Sequence, residues 1–266
     1  MVNRTLYFRE LRGSWKLLVI FAGVLTMYIT MIIWMYDPKM AEAMEQFEQL
    51  MPELMAAVGM TRTEDSLISF MSSYLYGMIL LVFPMVYTII RAHGLVARYV
   101  DRGSMAALLA APVKRTSICL TQLSVLVTGV LLLMGYATVL ELAAAGVLFP
   151  GELDVAALLR LNSGLLALQL FLAGFCFFCS CLFDDARYSL AAGAGVPVLM
   201  YLMQMLANMG GKLENFRYLT VFSLFQTHSL IQGEGAGWLG TGVLLVGAVL
   251  LAGAAVVVFF RRDLPV

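Results

Sequence analysis

The sequence predicts an all-α polytopic membrane protein with six transmembrane helices. Hydrophobic residues make up 61% of its 266 residues, against about 45–50% in soluble globular chains. Charged residues make up only 13%, about half the usual quarter, and six mostly apolar stretches each approach the roughly 20 residues that a helix needs to cross a bilayer. So few charges cannot cover a soluble surface, which excludes a cytosolic enzyme, a disordered protein and a nucleic-acid binder.

The predicted spans lie at about 17–36, 71–90, 118–140, 165–183, 190–207 and 238–260, within a single transmembrane domain over 1–266. Backbone polar groups in lipid must be satisfied within the segment, which favours helices, and no inward/outward alternation suggests a β-barrel. The first apolar run is longer than the core of a signal peptide and no cleavage pattern follows it, so we interpret it as an uncleaved span.

The basic residues predict that both termini are cytoplasmic. In that topology most of the 17 Lys and Arg residues fall in cytoplasmic segments, as the positive-inside rule requires. They are Arg4, Arg9, Arg12, Lys16, Arg91, Arg98, Arg102, Lys114, Arg115, Arg187, Arg261 and Arg262. Acidic residues crowd the first outer loop instead: Asp37, Glu42, Glu45, Glu48, Glu53, Glu64 and Asp65.

The N-terminus is predicted to form a short amphipathic elbow helix that lies in the headgroup plane and leads into the first span. An apolar stripe recurs at spacings of three and four: Phe8, Leu11 and Trp15. A basic stripe lies beside it: Arg9, Arg12 and Lys16. The alternative is an ordinary basic flank without a separate helix.

The first outer loop, 37–69, is too long for a plain turn. Apolar residues recur at threes and fours from Met40 to Val58, with Glu and Gln between them, which predicts an amphipathic helix broken near Pro52. Its Met-rich stripe either packs against another helix or the membrane, or offers an adaptable surface to a substrate.

The basic inner loop 91–116 is predicted to hold a short helix across the cytoplasmic face. Asp101-Arg102-Gly103-Ser104 interrupts the continuation of the second span, Ser104 is a suitable cap for a helix over 105–111, and Pro112 stops that helix. Such a helix is a docking element, and a simple amphipathic connector is the alternative. On the other side, 219–230 is apolar but too short to span, which favours a re-entrant or interfacial hairpin before Trp238.

Motifs for catalysis or cofactor binding are absent from the sequence. The string nearest to a phosphate loop, Gly210-Gly211-Lys212, is followed by Leu213 rather than Ser or Thr. His93 and His228 are predicted on opposite sides of the membrane, so no shared metal site is expected. The Cys176–Cys181 cluster lies in an apolar span without His or carboxylate neighbours, and we interpret its cysteines as small residues at helix contacts.

Glu141 is the one acid predicted in or beside a span. An intramembrane carboxylate is a candidate functional residue, but a position near the outer end of the third helix also suits a structural or water-facing role. A self-contained secondary carrier or channel that uses Glu141 is therefore an alternative function, although more buried charge would be expected of an ion-driven carrier. A third possible function is that of a membrane scaffold or sensor subunit without a transport path.

Three stretches resemble permease subunits of the ABC-2 type, which have the type V exporter fold. Residues 97–115 resemble the family's coupling segment, GTLE-x-LL-x-x-PV-x-R, although Asp101 is the one acid before the glycine and Ala106 replaces the family's Glu. Residues 260–264 resemble a common family ending, and 219–225 is placed like the family's outer hairpin.

The resemblance implies a membrane dimer, formed by two copies of this chain or by this chain and a related permease. Two separate ATPase subunits, which bind ATP and Mg²⁺, would dock beneath it. This chain would then have no catalytic residue, metal or cofactor of its own. It would contact membrane lipid and no nucleic acid. It would export a substrate across the plasma membrane of a bacterium.

The resemblance also implies residue roles. The ATPase-coupling element would comprise Arg98, Asp101, Arg102, Gly103, Ser104, Leu108, Pro112 and Arg115. The supporting elbow would comprise Arg9, Arg12 and Trp15. The substrate path would follow the second and fifth helices, with these candidate lining residues: Met85, Glu141, Met200 and Met203.

Overall fold

The computed structural model describes residues 2–36, 51–58, 66–97, 99, 115–183 and 185–261, and within them every regular element is helical. The elements are α1 (Arg4–Trp34), α2 (Pro52–Ala57), α3 (Leu67–Leu95), α4 (Arg115–Leu148), α5 (Val155–Leu182), α6 (Ala186–Asn208), 3₁₀ turns at Gly211–Leu219 and Val221–Leu224, α7 (Thr227–Gln232) and α8 (Gly235–Arg261). Six helices are long and apolar enough to cross a membrane. Each coincides with one predicted span, so the prediction of a multi-pass helical protein is confirmed.

The long helices alternate in direction and give the bundle two ends. At the end that we call the terminal face, the Asn3 backbone N–H donates to Thr121 Oγ1 over 2.9 Å, which joins the start of α1 to the start of α4. At the opposite end, the distal face, the rings of Tyr36 and Phe149 meet edge to face with centroids 5.1 Å apart. Both described chain ends therefore lie at the terminal face.

α5 and α3 form the interior of the bundle, while α1, α6 and α8 expose most of their apolar surface. Small residues let α8 approach α5 closely: a Cβ added to Gly174 would lie 3.1 Å from the Ala248 carbonyl oxygen, and one on Gly247 would lie 2.7 Å from the Phe171 ring. Such approach is a common means of packing helices in lipid, where apolar burial gives no advantage over contact with acyl chains.

The predicted separate elbow helix is wrong, because the N-terminus forms the first turns of one continuous helix, α1. Asn3 caps it, with its side-chain oxygen accepting from the Leu6 N–H over 3.1 Å. No proline interrupts the run from Arg4 to Trp34, and a lone glycine is too weak a breaker to end a helix. The buried stripe is Leu6, Glu10, Ser14 and Leu18, whereas the predicted stripe residues Phe8 and Trp15 are exposed.

α3 is irregular, with a π-helical stretch over Ser72–Ile79 followed by Pro84. The Leu80 carbonyl would ordinarily accept from the N–H four residues on, but that residue is Pro84, which has none. Gln169 of α5 replaces the missing donor: its Nε2 donates to the carbonyls of Leu80 and Leu81 over 3.3 and 3.0 Å. The backbone of α3 beside Pro84 is thus satisfied by a side chain of the central helix.

The two predicted loop helices differ in how far they fall within the described residues. α2 begins at Pro52, which agrees with the predicted break, and its end meets α6 where Asn208 Nδ2 donates to the Ala57 carbonyl over 3.5 Å. The rest of the Met-rich stripe before Met51 lies outside the described residues, as does the helix predicted over 105–111.

Residues 219–230, predicted as a hairpin, fall within the stretch 211–232, which forms the two 3₁₀ turns and α7 and does not cross the bundle. Buried Leu230 is enclosed by two glycines: a Cβ on Gly164 would lie 2.4 Å, and one on Gly237 2.9 Å, from its side chain. Arg160 of α5 completes the attachment, because its guanidinium donates to the carbonyls of Leu230 and Ile231 over 3.0 and 2.6 Å.

Candidate functional site

A cavity of about 570 Å³ opens at the distal face between α3 and α6. Its walls are Ala56 and Ala57 of α2; Ser72, Ser73, Tyr76, Gly77 and Leu81 of α3; Tyr201, Gln204, Met205 and Asn208 of α6; and Phe222, Phe225, Thr227, His228 and Ile231 from the turns and α7. A second cavity of about 640 Å³ adjoins it and shares the wall from Gln204 to His228. Both volumes are within the range of small-molecule sites.

Aromatic rings form much of the wall of the 570 Å³ cavity. Tyr76 and Phe225 have ring centroids 6.5 Å apart, and Tyr201 and Phe222 meet edge to face at 5.6 Å. The Tyr201 hydroxyl is buried and has no hydrogen-bond partner among the described residues. The cavity therefore combines an apolar aromatic lining with polar groups available to a ligand.

Tyr76, one of the lining residues, belongs to a buried polar triad behind the cavity wall. Glu141 Oε2 accepts from the Tyr76 hydroxyl over 3.0 Å and from Asn162 Nδ2 over 2.7 Å. Glu141 is 0% exposed, and among the described residues its Oε1 atom and Asn162 Oδ1 have no hydrogen-bond partner. One carboxylate thus joins α3, α4 and α5 next to the cavity.

Glu141 lies near the distal end of α4, as expected, but it does not touch water, because it is 0% exposed. α4 continues two turns beyond it, to Leu148, and α3 and α5 cover it on both sides. The sequence identified the acid but neither partner. Asn162 is one polar residue in an apolar helix, and Tyr76 lies in the π-helical stretch, a type of irregularity that is frequent at functional sites but leaves no simple periodic signal.

The methionines expected along the path lie elsewhere in the described structure. Met85 is buried inside the bundle, and Met200 and Met203 are half-buried on α6. None of the three is among the described residues that line the cavity, where Met205 is the methionine. Their part in a path stays a prediction.

A second glutamate–tyrosine pair lies at the terminal face. The Tyr99 hydroxyl donates to Oε1 of buried Glu10, whose backbone carbonyl accepts from Ser14 Oγ over 2.8 Å. Arg91 Nη2 lies 3.5 Å from that same carbonyl. Burial, then the hydrogen bond and charge of Glu10, raise the pKa of Tyr99 above its ordinary value, so the phenol remains a donor at neutral pH.

This pair attaches the start of the inner loop to α1, since Tyr99 precedes Asp101 by two residues. Around it, Arg9, Arg12 and Trp15 are exposed, and Arg115 is half-buried at the start of α4. The other predicted coupling residues lie outside the described residues: Arg98, Asp101, Arg102, Gly103, Ser104, Leu108 and Pro112. No signal in the sequence identified Glu10 or Tyr99. Glu10 is a single residue in the segment before the first span, and Tyr99 is a single residue in the inner loop.

The remaining polar candidates have structural contacts. Cys176 Sγ donates to the Gly193 carbonyl over 3.1 Å, and a Cβ added to Gly193 would lie 3.6 Å from Cys179 Cβ, which confirms these cysteines as small residues at the contact of α5 with α6. His93 lies near the terminal end of α3 and His228 in α7 at the distal face, on opposite faces as predicted.

The chain matches the family described as ABC-2 family transporter protein over residues 6–264. No relative among curated proteins matches the chain. The matched range includes nearly all of the six long helices, the cavity and both glutamate–tyrosine pairs. Membership favours a transporter component that associates with an ABC ATPase over a self-contained carrier, and the chain belongs to the ABC-2 transporter family as a membrane-spanning permease component.

Proposed function

We propose that this chain is the permease of an ATP-driven exporter in the plasma membrane, and that a separate ABC ATPase subunit supplies the energy. The observation that carries the proposal is the family match over 6–264, because ABC-2 permeases associate with an ABC ATPase. The cavity between α3 and α6 supports it, since it opens at the face opposite to both termini.

The terminal face is the cytoplasmic side in this proposal. Exposed basic side chains gather there: Arg9, Arg12, Lys16, Arg187 and Arg261. At the distal face, by contrast, Arg217 forms an ion pair with Glu214 at 3.5 Å, and Arg160 donates to backbone carbonyls. This asymmetry agrees with the positive-inside rule.

α3 is the element that connects ATPase docking to the cavity. It contains 29 residues, a length of roughly 43 Å in helical geometry, with Tyr76 at the cavity and Tyr99 just beyond its other end. The Tyr99–Glu10 hydrogen bond fixes the adjoining loop to α1. A push on that loop would therefore move α1 and α3 together and change the shape of the cavity.

A second permease subunit would complete the membrane dimer. α6 exposes a row of large apolar side chains that the single chain leaves uncovered, including Val198, Leu199, Leu202 and Leu206. The same helix forms one wall of the cavity. A partner permease on this face would enclose a substrate path between α3 and α6 of each subunit.

The proposal is tested by purifying the tagged chain from its native membrane in mild detergent. We expect an ATPase with a phosphate-binding loop at equal stoichiometry, and ATP-dependent transport once the complex is in vesicles. The double variant Gly103→Asp/Leu108→Asp should lose the ATPase while inserting normally. Leu219→Asp, which adds the same group to an exposed position on the distal face, is the matched control and should keep it. Normal ATPase retention by the double variant would contradict the predicted docking element, and purification without any ATPase would overturn the proposed function.

A further inference from the structure

We propose that the distal cavity binds amphipathic organic cations, with Tyr76 and Glu141 as its specificity-determining residues. This inference rests on the proposed transport function of the cavity and adds the chemical class of its ligand. Three independent features of the described residues carry it: the aromatic lining, the buried carboxylate behind that lining, and the absence of Lys or unpaired Arg among the described residues that line the two cavities.

The aromatic lining is suited to a cation. Four aromatic side chains line the cavity: Tyr76, Tyr201, Phe222 and Phe225. The face of an aromatic ring carries negative charge density, and several rings around one space are the known means of holding quaternary ammonium groups. Tyr76 is the strongest of these rings, because its hydroxyl donates to the Glu141 carboxylate and so increases the electron density of the ring.

The carboxylate behind Tyr76 sets the sign of the local field. Glu141 has only neutral donors, Tyr76 and Asn162, and no basic side chain of the described residues forms an ion pair with it. A carboxylate buried in a membrane protein without a cationic partner is favoured in its protonated form, and a nearby cation favours the ionised form instead. A ligand cation on the cavity side of Tyr76 would supply the missing positive charge.

The other described residues that line the cavity neither repel a cation nor favour an anion. His228 is the one His, Lys or Arg side chain among the described residues lining the 570 Å³ cavity, and its Nε2 lies 3.2 Å from Gln232 Nε2. In the adjoining cavity Arg217 is paired with Glu214. Hydroxyl and amide groups of Ser72, Gln204 and Asn208 provide hydrogen bonds for the polar part of a ligand.

The size of the space selects drug-sized molecules rather than bare metal ions. A cavity of about 570 Å³ holds a molecule with several rings. The oxygen donors among the described lining residues are neutral hydroxyls and amides rather than the carboxylates that hard metal ions prefer, whereas an organic cation spreads its charge over apolar groups that the aromatic rings can contact.

The test measures binding of two probes of equal shape and opposite charge, tetraphenylphosphonium and tetraphenylborate. The full chain, with its co-purified subunits, is placed in lipid nanodiscs, and binding to empty nanodiscs is subtracted. We expect the phosphonium to bind at least roughly tenfold more tightly than the borate. Glu141→Gln should weaken phosphonium binding roughly tenfold, because Gln keeps an acceptor for Tyr76 and Asn162 but removes the charge.

Two further variants separate charge recognition from damage to the fold. Tyr76→Phe keeps the ring and removes its link to Glu141, so it should weaken the phosphonium less than Glu141→Gln does. Glu152→Gln removes an exposed acid at the same face and should change nothing. Heating each variant with a thiol-specific dye reports folding, because all four cysteines are buried in the native state.

The inference is overturned by equal affinity for both probes, by binding of neither, or by unchanged phosphonium affinity in folded Glu141→Gln. These outcomes are distinct from a failure of the proposed function. A chain that co-purifies with an ABC ATPase but does not discriminate between the probes keeps the function and loses the cation site. A chain that selects the phosphonium but never associates with an ATPase keeps the site and loses the proposed function.

Discussion

Two tyrosine–glutamate pairs lie at opposite ends of α3, and their surroundings differ. At the distal face Tyr76 donates to Glu141, which is 0% exposed, has Asn162 as its other partner and lies next to a cavity. At the terminal face Tyr99 donates to Glu10, near Arg91, where a loop meets α1. The same two side-chain types thus form a buried triad beside a cavity in one place and an attachment between segments in the other.

The two pairs show that the role of a buried carboxylate depends on its neighbours rather than on the carboxylate itself. Near Glu10 the guanidinium of Arg91 provides compensating positive charge. Near Glu141 the described protein provides only neutral donors and an aromatic-walled space. Glu10 has a basic neighbour within the chain, whereas in our proposal the ionised form of Glu141 is stabilised by the cation of a ligand.

The largest effect is expected from Gly240→Ala, which disturbs the packing of the distal region and leaves the terminal face unchanged. A Cβ at this position would lie 2.2 Å from the Leu224 carbonyl oxygen, a backbone atom that moves only if the whole 3₁₀ turn moves. We expect a loss of about 3 kcal/mol in stability and loss of probe binding, measured by thermal unfolding with the thiol dye and by phosphonium titration.

The matched control for this variant is Gly242→Ala, whose added Cβ meets nothing within 4 Å. It should be neutral or slightly stabilising, because alanine is the better helix former. Docking of the ATPase at the terminal face should persist in any Gly240→Ala protein that reaches the membrane. Equal losses in the two variants would mean that the contact with Leu224 is not the cause.

A smaller effect is expected at Pro84 of α3, between the two pairs. Gln169→Leu should cost about 1–3 kcal/mol, because it leaves the Leu80 carbonyl buried without a donor. In a Pro84→Ala background the N–H of Ala can donate to the Leu80 carbonyl, so Gln169→Leu should cost less stability there than in the wild-type chain. Thermal unfolding of the two single variants and the double variant gives the coupling between them, and strict additivity would contradict the compensation.

The smallest effect concerns alkaline pH. Because the pKa of Tyr99 is raised in the folded chain, its contribution to stability is complete below the unfolded value of about 10 and is lost as pH rises through the higher folded value. Between pH 6 and 9 Tyr99→Phe should therefore shift stability by a constant amount. Above about pH 10 the wild-type chain should lose more stability than Tyr99→Phe does. A difference between the two that changes across the neutral range would contradict this assignment.

The spans were predictable because a 20-residue apolar run is a local property, and Pro52 similarly marks the start of α2 locally. The face of a helix that meets a neighbour is not local. Phe8 and Trp15 form a good amphipathic stripe, but α3 and α4 contact the side that bears Glu10 and Ser14. The partners of Glu141 depend likewise on the register of three helices, one of them π-helical, so the sequence identified the acid without the triad.

The most direct test of the account compares Tyr76→Phe with Tyr99→Phe in one reconstituted complex, with phosphonium affinity and ATPase activity measured on the same samples. Each variant removes one hydroxyl that donates to a glutamate. We predict that Tyr76→Phe weakens phosphonium binding and leaves basal ATPase activity unchanged. Tyr99→Phe should leave binding unchanged and lower the stimulation of ATPase activity by the phosphonium. If both variants alter both quantities to the same extent, the two pairs do not have separate roles and the account is contradicted.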